Sequence, residues 1–518
     1  WLLRPTAPSM KPKRKRKIGR WSTITPRAMN DRTKEGSVRN SAGGDLEKRI
    51  DERIDILIQE MEKESGQAIR IPSVQGPAEA GAPFGRDVAR ALEFALSSGE
   101  KKGFVVKNVD NYAGHIEFGS SGRLYAALGH LDVVPVEKEG ADWSVPPFEG
   151  TVKDGAIWGR GASDDKGPTF AALYALYALK LLGVEPKNRI RVILGTNEET
   201  DWGCVQHYFQ KEAYPDFAIV PDSVFPGVFA EKGILRLDMR APLCPAGPTD
   251  PTPIVSNRIF IEGGTAPNVV PKETRLRVIS RNPEMIDQML RNFRPGNQAT
   301  LTWTRNPTGE FEILFTGAPF HAARPEGGIN SIAACLDFCR SLGLAPLLKE
   351  RLNRLWDAIG YDYSGKNAGI SGQDGLSGAL TLNLGTIACD ERELRVTLDI
   401  RYPVFFDKGR VFKQIESAFR DFSIQESGSL APLYVDPKGQ RMRQLLRIYE
   451  DFTGEAAPPK AIGGGTYARA VPLGVSYGAL FPGEESYAHR ANERKSIASL
   501  TRACKIYARV FYEWLTES

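Results

Sequence analysis

Two adjacent carboxylates, Glu198 and Glu199, follow a run of alternating apolar residues from Arg189 to Gly195. Gly195-Thr196-Asn197 ends that run just before them, so the pair stands at a strand end and not on a solvated helix face. Groups of the same chemical kind recur along the chain: Gly129-His130-Leu131-Asp132, Gly159-Arg160-Gly161-Ala162-Ser163-Asp164-Asp165-Lys166-Gly167, Val220-Pro221-Asp222 and His489. Together they offer two imidazoles and several carboxylates, each at the end of an element. That is the donor set of a site for two divalent ions, and the chemistry of such a site is hydrolysis by activated water.

Each group has its own logic. In His130-Leu131-Asp132 the imidazole is the natural ligand, and the carboxylate two residues on can accept the other ring N–H and fix the tautomer. The same spacing also occurs in simple turns with a satisfied histidine. Glycines before Asp164-Asp165 permit a tight backbone that aims a carboxylate inward. One carboxylate can bridge two ions about 3.5–4 Å apart. Of Glu198 and Glu199, one binds metal while the other moves a proton from water to the leaving amine. His115, on an alternating strand, and His207, on a surface helix, lack such neighbours and read as structural. Glu484 and Glu485 read as a solvated loop before His489.

These groups need elements to position them. Leu46, Ile50, Ile54, Leu57, Ile58 and Met61 recur at helical spacing, so folded structure is expected from near Asp45. A second helix is expected over Arg86 to Leu96, with strands at Gly103 to Val109, His115 to Phe118 and Leu124 to Leu128. Gly167 opens a long helix, expected over Phe170 to Leu182 and capped by Gly183. Strands at Arg189 to Gly195 and Phe217 to Val220 deliver the glutamates and Asp222. Strands alternating with helices predict an α/β fold with a mainly parallel sheet and chemistry at the strands' carboxyl ends. After Lys232-Gly233 the ligand types stop. Residues 234–430 read as an inserted α+β lid domain, with a proline-rich surface loop over Ala241 to Pro253. The ligand-bearing domain, 41–233 and 431–518, closes on a helix carrying Leu500, Cys504, Tyr507, Phe511 and Trp514.

Composition bounds the rest. The chain has 518 residues and a net charge of +5, yet residues 1–40 hold twelve Lys/Arg against two acidic residues. The remainder is mildly acidic. The block Lys11 to Lys17 reads as a disordered or non-native leader, Met29 being an ordinary start, with a nucleic-acid arm as the rival. No apolar run approaches the roughly 18 residues of a membrane span. Six cysteines, at 204, 244, 335, 339, 389 and 504, form no CxxC pair and predict buried thiols and a cytoplasmic address. Cys335 and Cys339 share one helix stripe with residues 332 and 336.

The ordered set of motifs resembles the M20 family of dinuclear zinc peptidases, and within it the PepV-like bacterial dipeptidases, from about residue 45 to the C-terminus. Its carriers are Gly129 to Pro135, Trp143 with Pro147-Phe148, Gly159 to Pro168, Glu198-Glu199, Pro221-Asp222, Phe229 to Gly233, Gly263 to Asn268, Gly463 to Tyr467, Phe481 to Glu485 and His489 to Glu493. The resemblance implies two ions, Zn²⁺ first with Mn²⁺ or Co²⁺ as alternatives. His130 and Asp222 would complete one site, Glu199 and His489 the other, with Asp164 bridging and the Asp164-Asp165 peptide often cis. Glu198 would be general base and acid, and Asp132 would orient His130. His321 would stabilise the oxyanion, Arg401 would clamp the substrate C-terminal carboxylate, Asn268 would contact the substrate backbone, and the loop reaching Gly465 would approach the carboxylate. After His321 the family often has Gly-Ser, whereas this chain has Ala322-Ala323-Arg324. A short peptide, most simply a dipeptide, is the implied substrate, and a monomer the implied assembly. The alternatives are an N-acyl amino acid deacylase of the same family and, more distantly, a non-catalytic nucleic-acid-binding protein using the basic leader.

Overall fold

The computed structural model describes residues 33–136, 143–243 and 257–518. The basic leader's Lys11 to Lys17 block, Met29, Cys244 and most of the proline-rich stretch lie outside these residues. Two compact units divide the chain, 1–49 and 50–518. In the first, the described residues are helical, the helix starting at Thr33, upstream of the expected Asp45. In the second, residues 50–69 are helical and bury Ile50, Ile54, Leu57 and Met61 at the predicted spacing.

Two sheets organise residues 50–518. A nine-stranded sheet is parallel at its centre, where Leu124–His130 pairs with Arg189–Gly195 on one side and Phe217–Val220 on the other. Gly474–Ser476 continues the parallel order beside Phe217–Val220. The edges are antiparallel, so the sheet is mixed, with its parallel strands in the middle. The helices Lys166–Leu181 and Ile497–Thr516 pack together and against the central strands. Ala126, Leu128, Ile193, Ala218 and Val220 form a further core with Cys204, Val205, Tyr208 and Tyr467.

The second sheet has eight strands, all antiparallel, taken from Gly233–Pro242 through Ser423–Leu430. Burial alternates along Asn257–Gly263 and the middle of Gly233–Pro242. Leu235, Leu237 and Met239 turn inward with Leu394, Val396, Leu398 and Ile400 to pack against the helices Pro283–Asn292, Ser331–Cys339, Pro346–Ala358 and Lys408–Ala418. Asn330 caps the second of these helices by accepting from Ala333 N–H. The last two helices of that group were not expected from the sequence, although Pro346 opens one and Asp407 caps the other by accepting from Arg410 N–H. The opposite face carries Arg236, Asp399 and Arg401, polar side chains at the intervening positions.

Among the described residues no helix is long and apolar enough to cross a membrane. The five described cysteines are all buried, with free thiols.

Candidate active site

Register brings the ligand types together. His130 pairs with Gly195 in the parallel ladder, so the imidazole and the two glutamates leave neighbouring strands at the same height. Asp222 follows the next strand, two residues after Val220. The carboxyl ends of three adjacent parallel strands therefore converge, as open α/β sheets direct their sites. Asp164 comes from a loop whose glycines, Gly159 (φ 147°) and Gly161 (φ 91°), take backbone that side-chain-bearing residues avoid. The Asp164-Asp165 peptide is cis.

The geometry is that of a shared carboxylate. Asp164 Oδ1 lies 3.0 Å from His130 Nε2, and Asp164 Oδ2 lies 2.9 Å from His489 Nε2. His489 Nε2 is 3.0 Å from Glu199 Oε1, and His130 Nε2 is 3.8 Å from Asp222 Oδ2. Donors bound to one tetrahedral ion at bonds of about 2.0–2.2 Å stand about 3.3–3.6 Å apart, so small adjustments suffice to admit an ion. His130, Glu198 and Asp222 form one group with ligand atoms within 4.8 Å of one another, and His130, Asp164 and Glu199 form a second.

Electrostatics points the same way. Burial, reinforced by the neighbouring carboxylates, pushes Glu198 and Asp222 well above the usual carboxylate range and raises Glu199. Burial alone would depress His130 and His489, but the facing carboxylates outweigh it and hold both well above the ordinary imidazole value. Burial would also raise Asp164, yet the two imidazoles keep it well below its usual value. Five carboxylates from Asp164, Glu198, Glu199, Asp222 and Asp132 share two imidazoles. Burial therefore favours protons on Glu198, Glu199 and Asp222, while Asp164 is kept ionised by the two imidazoles.

Asp132 does more than the spacing suggested. The nearest acceptor for His130 Nδ1 is the Asp132 main-chain oxygen at 3.0 Å, with the carboxylate Oδ1 at 3.5 Å. The carboxylate instead accepts the main-chain N–H groups of Glu198 and Glu199, each at 3.0 Å. One residue thus supports the histidine through its main chain and the glutamate pair through its carboxylate.

A cavity of about 350 Å³ opens on this cluster and is lined by Glu198, Glu199, Asn268, His321, Arg401, Gly465 and His489. Every residue assigned to substrate contact therefore meets the carboxylate cluster within one chain. Burial and the nearby Arg401 hold His321 down at about 4, so its imidazole is neutral at pH 7. Arg401 is 2% exposed, donating from Nε and Nη2 to Asp399 and from Nη1 to the Gly463 carbonyl. The glycine loop presents that carbonyl to Arg401. Its Thr466 is held by Glu231, a buried carboxylate that also accepts from Arg469. Arg324 is exposed and stacks over Phe320 outside the cavity.

Other residues had no role assigned in sequence. Glu493 is fully buried and accepts N–H groups from Gly161, Ser163 and Asp164, and from Arg160 Nη1. Its only signal was its place three residues after Arg490 in the His489 motif. Glu484 is not simply solvated: it accepts from the buried Lys495 and from Ser499 at the start of the last helix. His115 is buried against Tyr208, and His207 pairs with Asp110 and stacks on Tyr112. Neither reaches the site.

The chain matches the model of Peptidase family M20/M25/M40 over residues 126–513. It is 35% identical over 455 residues to "Putative dipeptidase YtjP" of Bacillus subtilis (strain 168), covering 87% of this chain and 96% of that protein. A "Putative dipeptidase" of Staphylococcus epidermidis is 32% identical over 444 residues, covering 85% and 93%. Among solved structures, human carnosine dipeptidase 1 superposes with a TM-score of 0.53 at 16% identity, covering 91% of this chain and 100% of its own. The Saccharomyces cerevisiae di-peptidase Dug1p gives 0.53 at 15% identity, covering 91% and 99%. These two likenesses are likenesses of fold.

Proposed function

From the premise that this chain belongs to peptidase family M20/M25/M40 and is a metallopeptidase, we propose that it is a dipeptidase cleaving the amide bond of short peptides with a free C-terminal carboxylate. The observation that carries this reading is Asp164, whose two oxygens face different imidazoles, His130 and His489, the second of which lines one cavity with His321 and Arg401.

The donor set fits two divalent ions: His130 and Asp222 for one, Glu199 and His489 for the other, with Asp164 shared. Mixed imidazole and carboxylate donors suit Zn²⁺ first and accommodate Mn²⁺ or Co²⁺. When bound, such ions lower the pKa of water to about 7 and polarise the scissile carbonyl. Glu198 takes the proton of the attacking water and delivers it to the leaving nitrogen. Asp132 holds the Glu198 main chain in place for both steps. His321, neutral at working pH, donates an N–H to the carbonyl oxygen as negative charge develops there. Asn268 contacts the substrate backbone, while Arg401 and the loop at Gly465 bound the carboxylate end.

Residues 234–430 act as the lid over a catalytic domain of 41–233 and 431–518, and its closure excludes water and limits substrate length. The cavity is at the small end of the roughly 300–1,000 Å³ usual for ligand sites, which supports short peptides. Because one chain supplies both the carboxylate cluster and His321, a monomer suffices. Buried free thiols support a reducing, cytoplasmic setting.

The test is metal analysis of the purified chain with a panel of free dipeptides, N-acetylated amino acids and longer peptides. Chelator-sensitive hydrolysis of the dipeptides is expected. Preference for N-acetylated amino acids would replace the reading with a deacylase, and no amide hydrolysis by the metal-loaded chain would end it.

A further inference from the structure

The guanidinium assigned to the substrate carboxylate is largely occupied. Arg401 gives its Nε–Nη2 edge to Asp399 and its Nη1 to the Gly463 carbonyl, and it is 2% exposed. A second arginine stands beside it. In the antiparallel register Arg236 lies opposite Asp399, and Arg236 Nε meets Asp399 Oδ2 at 3.2 Å. Its side chain is 37% exposed and lines the same cavity. Neither of its Nη groups donates to another described residue. On its other side the facing residue is Gly428, which has no side chain to compete for those donors.

We propose that Arg236 is a substrate-binding residue that offers the free Nη edge to the C-terminal carboxylate of the peptide. A carboxylate is best held by two parallel N–H donors of one planar fork. Among this pair of arginines, only Arg236 has both Nη groups uncommitted. Arg401 then serves from behind: it fixes Asp399, and Asp399 aims Arg236. Two guanidinium groups around one carboxylate leave one positive charge, which a substrate carboxylate balances. Glu198 and Glu199 line the same cavity and repel a carboxylate, so a peptide places that group at the arginines. This deepens the dipeptidase reading and rests on it.

The experiment uses the metal-loaded full chain carrying Glu198→Ala, so that binding is read without turnover. Calorimetry compares glycyl-leucine with glycyl-leucine amide. The free acid is expected to bind more tightly than the amide. Arg236→Gln is expected to weaken the acid by about 10- to 100-fold, the range of a charge-assisted hydrogen bond, and to leave the amide unchanged. Arg236→Lys restores part of the loss. Circular dichroism confirms that each variant is folded. The proposal is overturned if Arg236→Gln changes acid binding less than twofold, if it weakens acid and amide equally, or if neither peptide binds. If the pattern holds but the unmodified Glu198 chain hydrolyses no peptide, the dipeptidase reading fails while the role of Arg236 stands.

Discussion

Glu493 holds Asp164 by its main chain: Glu493 Oε1 accepts the Asp164 N–H at 3.1 Å, although 329 residues separate them in sequence. The same oxygen accepts from Gly161 and Ser163, so the loop that carries the shared carboxylate is clamped by the segment that carries His489. Truncation leaves three N–H groups without this acceptor and the Arg160 guanidinium without its carboxylate in a buried place. Glu493→Ala is expected to cost about 3–5 kcal/mol, the range for breaking a buried ion pair, together with metal content. Glu493→Gln keeps one acceptor oxygen and retains more of both. Chemical denaturation and metal analysis of the two variants check this, and equal behaviour of the alanine and glutamine variants would contradict the clamp.

The role proposed for Glu198 predicts that its removal separates binding from turnover. Glu198→Ala keeps the five proposed ligand side chains, so metal content is expected to stay the same. Turnover is expected to fall by about 10²–10⁴-fold, the usual span for a general base. Loss of metal in parallel would make Glu198 a ligand instead.

Metal uptake is expected to release protons. Burial and mutual repulsion raise Glu198, Glu199 and Asp222, so without cations these groups retain protons that the ions displace. Affinity therefore rises with pH and weakens as pH falls. Calorimetry of metal addition in buffers of different ionisation enthalpy reads the proton count directly, and a count of zero would refute the charge balance described above.

His321→Ala is expected to lower kcat by about 10²–10³-fold with little change in KM, as for loss of one oxyanion donor. Because His321 titrates at about 4, its protonation leaves the activity profile between pH 5 and pH 8 untouched. Steady-state kinetics across that range test both statements.

Stability has its own pH window. Burial, with Arg191 nearby, holds His115 down at about 3, and its Nδ1 lies 2.8 Å from Tyr208 Oη. The unfolded chain protonates this residue near 6.5, so below that pH the unfolded state takes up a proton that the folded state refuses. Stability is thus fully present above pH 6.5 and falls as pH drops toward 3. The contribution lost by pH 5 is on the order of 1–2 kcal/mol. Urea unfolding at pH 7 and pH 5 should show a smaller difference in His115→Gln than in the parent chain.

The types of residue at the site were legible in sequence because each is tied to a local signal. Glycines before Asp164, the end of an apolar run before Glu198 and a strand running into His130 are short-range patterns, and the helical spacing of Ile50, Ile54, Leu57 and Met61 is another. What no local pattern carries is partnership at a distance. That the Asp132 carboxylate serves the main chain of Glu198 and Glu199, that Glu493 clamps the Asp164 loop, and that Arg236 shares Asp399 with Arg401 all follow from strand register and loop closure. Composition and spacing decided which chemistry this chain carries. Only the folded sheet order decided which donors meet, because a hydrogen bond or an ion pair depends on separation in space and leaves no trace in the residues that flank it.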